Sequence, residues 1–183
     1  ALGYQSLRNN TTGDLNVAVG YQSLLANTSA SSNTAVGNVA LKSATTGHSN
    51  TALGNGALYS TTTANENVAI GISASYSNTT GHSNVAIGRS AMSVGSTRNK
   101  NVGIGYYALV YGSAGDNNVA VGYSALENNT ADSNTAVGYY ALKANTSGTN
   151  STAIGFNAGL TITSAADNTI VGDESQKLNR LGA

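Results

Sequence analysis

A glycine returns every 17 residues along this chain. It closes a phrase of Asn, then Val or Thr, then Ala, then an aliphatic residue, at Gly3, Gly20, Gly37, Gly54, Gly71, Gly88, Gly105, Gly122, Gly138, Gly155 and Gly172. Nine of the ten intervals are 17, and the one from Gly122 to Gly138 is 16. A short period sustained over a whole chain requires stacked, near-identical units, because one such unit cannot bury an apolar face alone. The 183 residues therefore read as one continuous solenoid of about eleven repeats, not as an irregular globular core.

Four residues before the glycine stands Asn, at Asn16, Asn33, Asn50, Asn67, Asn84, Asn101, Asn118, Asn134 and Asn168, with Ser151 the one exception inside the run. The next residue is Val or Thr, from Val17 and Thr34 to Thr152 and Thr169; the next is Ala except at Gly103 and Ile170; the last is Val, Leu or Ile. A short β-branched segment of this kind reads as a strand. Beyond the glycine, the third residue is Ala or Ser and the fourth is usually Leu, as at Leu7, Leu24, Leu41, Leu58, Leu109, Leu126 and Leu142. Polar stretches such as Asn9-Asn10-Thr11-Thr12-Gly13-Asp14 follow and read as turn or loop. The short repeat loses its residue in this stretch, between Leu126 and Asn134, where a loop tolerates deletion and a strand does not.

Helix is the main rival, since Ala and Leu favour it. Two to four such residues per repeat cannot build an amphipathic helix beside a strand, and the abundant Asn, Thr, Ser and Gly favour turns. The expected fold is all-β: a parallel β-roll, or β-solenoid, with 17-residue coils over residues 1–172. Residues 173–183 depart from the phrase and carry Asp173, Glu174, Lys177 and Arg180, so they are expected to form a cap or junction.

Stacking at ~4.8 Å turns each column into a ladder. The Asn column is expected to form a ladder of side-chain amides. Alternation along a strand puts the Val/Thr and aliphatic positions on one face and the Asn, Ala and Gly positions on the other. The aliphatic and Leu columns are expected to fill the thin core. The Ala and Gly face admits a close backbone approach, within the roll or from a neighbouring protomer.

Formal net charge is zero and only 9% of residues are charged, which removes the electrostatic footprint of a nucleic-acid binder. It also removes the basic patch needed for an anionic membrane. No apolar run reaches the length of a membrane span, so no membrane insertion by this segment is expected. Without Cys there is neither a disulfide framework nor a thiolate metal site. No leader is visible and Ala1 opens inside a repeat, so the chain reads as a mature product or a fragment.

His48 and His82 occupy one loop column two repeats apart with Asn65 between them, too few ligands for a metal. Asp14, Asp116 and Asp132 share a loop column, of which only Asp116 and Asp132 are in adjacent repeats; a glycosidase pair would need a cleft between its carboxylates, and nothing in the sequence builds one. Catalysis, metal and cofactor are accordingly not expected.

Tyr follows the glycine at Tyr4, Tyr21, Tyr106, Tyr123 and Tyr139, with Phe156 continuing the column, and Tyr107 and Tyr140 begin a second one. The first column reads as an aromatic ladder covering the roll, the second as a platform for a sugar or partner protein. The candidate binding residues are Tyr106, Tyr107, Tyr123, Tyr139 and Tyr140. Asn-x-Ser/Thr triplets mark Asn10, Asn27, Asn78, Asn128 and Asn145 as candidate glycosylation sites in the loops, although a chain this rich in Asn and Thr makes such triplets by chance. A flat ice-binding array of Thr is argued against by the switch to Val from Val68 to Val119. Seven residues before the glycine the chain alternates Gly13, Ala30, Gly47, Ala64 and Gly81, then Arg98, Gly115, Ala131, Gly148 and Ala165, a two-repeat superperiod that composition does not explain.

Phrases such as Asn67-Val68-Ala69-Ile70-Gly71, Asn84-Val85-Ala86-Ile87-Gly88 and Ser151-Thr152-Ala153-Ile154-Gly155 resemble the head repeats of trimeric autotransporter adhesins. Those with Tyr after the glycine, such as Asn134-Thr135-Ala136-Val137-Gly138-Tyr139, are similar to repeats of phage and viral tail fibres. The resemblance covers nearly the whole chain, although the family's head coils are commonly shorter. It implies a left-handed parallel β-roll, usually a homotrimer, displayed outside a cell or on a virion to bind surface glycans or a host receptor. An open, head-to-tail stack of coils is the competing expectation, because uncapped solenoid edges invite axial addition into a filament.

Overall fold

The computed structural model describes residues 1–112 and 115–176. The described residues contain ten strands of three residues each: β1 (Val17–Val19), β2 (Thr34–Val36), β3 (Thr51–Leu53), β4 (Val68–Ile70), β5 (Val85–Ile87), β6 (Val102–Ile104), β7 (Val119–Val121), β8 (Thr135–Val137), β9 (Thr152–Ile154) and β10 (Thr169–Val171). They pair in chain order as one parallel sheet, so the fold is a β-solenoid with one strand per coil. Register follows the repeat, with Val17 opposite Thr34 and Ala18 opposite Ala35. Across the short repeat Val119 still meets Thr135, so the missing residue is absorbed in the loop and the sheet stays in register. Leu2 bridges to Val19 and carries the pattern into the first repeat.

The rest of each coil is not strand, because its backbone alternates in hand. After Gly20 (φ 130°), Gln22 and Leu24 have φ of 52° and 50°. This alternation aims successive N–H groups up and down the axis. In one coil, Thr34 N–H donates forward to Asn50 O at 2.8 Å, Gly37 and Val39 N–H donate backward to Val19 O and Tyr21 O at 2.8 Å each, and Leu41 N–H donates forward to Ala57 O at 3.0 Å. Each coil is thereby clamped to both neighbours around its whole circuit. A left-handed conformation costs a leucine ~1–2 kcal/mol. Full burial of the same side chain contributes ~1.5–3 kcal/mol, enough to offset it.

The core differs from the sequence expectation on one side. The Leu column is inside, with Leu24, Leu41, Leu58, Leu109, Leu126 and Leu142 all 0% exposed. Facing it is the Ala at the centre of each strand, not the aliphatic column: Ala18, Ala35, Ala52 and Ala69 are fully buried, whereas Val36, Leu53, Ile70 and Ile154 stand 37–43% exposed on the outer side. The coil interior is too narrow for two large residues. Where Met92 replaces Leu, the opposing strand has Gly103, and a Cβ there would lie 2.8 Å from Met92 Cγ. Where Ile170 replaces the strand Ala, the opposing wall has Gly159, and a Cβ there would lie 3.0 Å from Ile170 Cδ1. Each side chain that reaches farther across from one wall is matched by a glycine on the other, as close packing requires.

The backbone path does not change at Gly172. Glu174 N–H donates to Phe156 O at 2.8 Å, and Glu174 and Gln176 repeat the positive φ of earlier coils at 51° and 56°. The coil path thus continues through residue 176, and residues 177–183 of the expected cap or junction lie outside the described residues.

The paired volumes predict non-additivity. Gly103→Ala should lower stability by about 1–3 kcal/mol through overpacking, and adding Met92→Leu should restore most of it. Urea unfolding of the two single variants and the double variant measures the coupling; strict additivity would mean the two walls do not share one space.

Candidate functional site

The Asn column lies inside the coil, and it bonds main chain more than it bonds itself. Asn67 Oδ1 accepts the Asn84 backbone N–H at 3.0 Å and Asn84 Nδ2 at 3.0 Å, while Asn67 Nδ2 donates to Gly81 O at 2.9 Å. Asn33, Asn50, Asn67, Asn84, Asn101, Asn118 and Asn134 are buried, and the outermost members Asn16 and Asn168 are half-buried. Ser151 takes the same place with a hydroxyl: its Oγ accepts Asn168 N–H at 3.2 Å and Asn168 Nδ2 at 3.3 Å, and donates to Thr149 O at 3.3 Å.

A second amide ladder was hidden in the loop. Asn27 Oδ1 accepts Ala30 N–H at 3.0 Å and its Nδ2 donates to Asn10 Oδ1 at 2.8 Å. Asn145 makes the same turn with Gly148 and donates to Asn129 Oδ1 at 2.8 Å. This places Asn27, Asn78 and Asn145 at 0%, 3% and 0% exposure with their carboxamides engaged, so they are not acceptor sites for a glycan in the folded coil. Asn10 and Asn128 are half-buried; Asn10 Nδ2 donates to Gly13 O at 2.8 Å and Asn128 Nδ2 to Lys143 O at 3.0 Å. The Thr after the Asn in these triplets builds a third ladder: Thr11, Thr28, Thr79 and Thr146 each donate a hydroxyl to the carbonyl of Thr or Ser one coil on, at 2.8–3.2 Å. The recurring Asn-Thr pair is therefore a packing signal, one side chain turned inward and the next along the axis.

The loop column of His48 and Asp116 is also structural. Asn65 Oδ1 caps His48 N–H at 2.9 Å, Asn99 Oδ1 caps His82 N–H at 3.0 Å, and Asp132 Oδ1 caps Asp116 N–H at 2.8 Å. Both histidine rings are exposed, each against its neighbouring serine. Among the described residues no three His, Cys, Asp or Glu side chains cluster as metal ligands.

The structure accounts for the glycine half of the superperiod. A Cβ at Gly13, Gly47, Gly81, Gly115 or Gly148 would lie 2.1–2.3 Å from a carbonyl oxygen of the next coil. It also accounts for Arg98. Gly95 and Gly112 leave the second amide ladder without side chains, and the Arg98 guanidinium fills that space, donating to Leu109 O, Met92 O and Val94 O at 2.7, 2.8 and 2.6 Å. Burial lowers its pKa to about 10, still far above neutrality, so it remains charged at pH 7.

The candidate tyrosines come together as one ridge. Tyr106, Tyr123, Tyr139 and Phe156 stack with ring centroids 5.1–5.4 Å apart and planes within 14°. Tyr107 leans on Tyr106 at 4.1 Å and Tyr140 on Tyr139 at 4.1 Å. Hydrogen bonding to these neighbours raises the Tyr107 and Tyr139 phenols. Cations close the ridge, with Lys143 Nζ 4.0 Å from the Tyr140 ring centre and Arg89 over Tyr106. Lys143 also pairs with Glu127 at 3.4 Å. Because the column rings cover one another's faces, the ridge offers solvent their edges and hydroxyls instead of flat stacking platforms. Compared with known proteins, the chain matches no family model, no curated protein and no solved structure.

Two substitutions test these ladders. Asn67→Ala should cost about 1–3 kcal/mol by orphaning buried main-chain groups, and Asn67→Ser, which imitates Ser151, should cost less; thermal unfolding ranks the pair. Arg98→Met should cost about 3 kcal/mol, since three buried carbonyls lose their donor. Its deficit in urea should be constant from pH 5 to 8, where the guanidinium does not titrate; a deficit that changed across that range would show that another group carries the effect.

Proposed function

We propose that this chain is a structural and adhesive fibre module, outside a cell or on a virion, whose coils form a rigid rod that assembles side by side with copies of itself and displays its loops and aromatic ridge to a surface. The observation that carries this reading is the outward aliphatic column. Val19, Val36, Leu53, Ile70, Ile87, Ile104, Val121, Val137, Ile154 and Val171 run unbroken along the outer face of the sheet. With the half-exposed Val/Thr column beside it, the stripe is ~43 Å long by ~10 Å wide, on the order of 400 Å² before the tyrosines are counted. A second copy aligned with the same axis matches the stripe rung for rung, because both have the same axial period. That geometry fits the homotrimer implied by the resemblance to adhesin heads and tail fibres. The aromatic ridge supports the attachment role, since a row of phenol hydroxyls flanked by Lys143 and Arg89 suits surface glycans or a polar receptor face.

The second reading is a filament of coils stacked end to end. It is favoured by the clamping of each coil through main-chain hydrogen bonds, which any chain of the same period can continue.

Solution mass and electron microscopy across a concentration series separate the two. A fixed mass of three chains is expected for the wild type, and Ile70→Glu with Ile87→Glu should yield folded single chains by removing the stripe. A wild type that stays monomeric overturns self-assembly through this face. Long filaments that persist in the double variant establish the axial reading instead.

A further inference from the structure

The chain has ten tyrosines but no tryptophan and no cysteine, and its single methionine, Met92, is 1% exposed. A one-electron oxidant arriving from solvent therefore meets phenols before any other readily oxidised side chain. The fold sets these phenols in pairs one coil apart. Tyr4 and Tyr21 stack at 5.4 Å, Tyr59 and Tyr76 at 4.8 Å, and Tyr123 stacks on Tyr106 at 5.4 Å and on Tyr139 at 5.1 Å, all with planes within 14°. Tyr4, Tyr21, Tyr123 and Tyr139 are 39–64% exposed, so they are reachable and free to tilt toward a neighbour.

We propose that the stacked tyrosines are modification sites, at which oxidation joins the phenol rings of consecutive coils by a carbon–carbon bond and staples the solenoid lengthwise. The oxidant is a one-electron acceptor of the ferryl-haem class, regenerated by hydrogen peroxide. Two phenols each give up one electron to it and one phenolic proton to water. The two radicals pair at carbons ortho to their oxygens, and each ring regains aromaticity by moving the hydrogen from that carbon to its own oxygen. Each link removes two hydrogens from the protein and reduces one hydrogen peroxide to two waters. Proximity drives the selectivity: a neighbour held one rung away is at a far higher effective concentration than any ring of another chain. Each link spans 17 residues, or 16 at Tyr123 and Tyr139, so it adds a covalent tie between coils that are otherwise joined only by the main chain.

The test uses the full chain at low concentration with peroxidase and hydrogen peroxide, followed by protease mapping of the monomer fraction. Trypsin cuts after Arg8, so a Tyr4–Tyr21 link joins fragment 1–8 to fragment 9–42. A Glu-specific protease cuts after Glu127, so a Tyr123–Tyr139 link joins 67–127 to 128–174. The expected result is joined fragments lighter by two hydrogens than their sum, with dityrosine fluorescence, and loss of this pairing preference when the chain is oxidised in urea. Tyr123→Phe should reduce the 67–127 to 128–174 link at least tenfold and leave the Tyr4–Tyr21 link within twofold, which also shows that the variant is folded. Links between unstacked tyrosines at the same yield, hydroxylated tyrosine in place of links, or links only between chains would overturn the proposal.

Discussion

Main chain rests directly on main chain at the repeat glycines, and the other contacts depend on that closeness. A Cβ at Gly54 would lie 2.5 Å from the carbonyl oxygen of Gly71, and the same contact recurs from Gly3 to Gly155. Gly54 also has φ of 134°, a conformation that side chains disfavour, so no other residue satisfies both conditions. With the corner held at that distance, the coils sit one inter-strand spacing apart and every residue meets its counterpart. A larger residue here would open the stack and weaken the sheet, the amide ladders and the aromatic stacks together.

Across each coil the interior is narrow, because a 17-residue circuit closes on itself in one turn. Ala from the sheet and Leu from the opposite wall fill it, and the exchanges of Met92 against Gly103 and Ile170 against Gly159 show how little room remains. A core this thin leaves the larger aliphatic residues outside. The stripe of Val, Leu and Ile on the outer face is thus a consequence of coil width, and it gives an otherwise polar rod one apolar side. Stability of the single chain then leans on hydrogen bonds. Three side-chain ladders, of inner Asn, loop Asn and loop Thr, satisfy main-chain groups in a coil that has only three strand residues.

Much of this was legible in the residues. The strand phrase, the loop position of the deletion between Leu126 and Asn134, and the stacking of Tyr106, Tyr123 and Tyr139 could be read from column identity alone. The loop Asn column was not, because Ala44 and Thr61, then Gly95 and Gly112, interrupt it and because Asn-Thr pairs also spell a glycosylation triplet. Arg98 looked like an intrusion in a Gly and Ala column. Its role depends on two glycines in the neighbouring column, and no single column reveals that.

The sequence by itself determined the coil length, the parallel in-register stacking and the division into strand and loop. Identical residues repeating at one spacing can satisfy their backbone groups together only by lying over one another. Which side of the strand faces inward was decided by the tertiary structure. Alternation separates Ala from its Val, Thr and aliphatic neighbours but does not say which set is buried; the distance to the Leu wall does, and that distance is set by how the whole coil closes on itself.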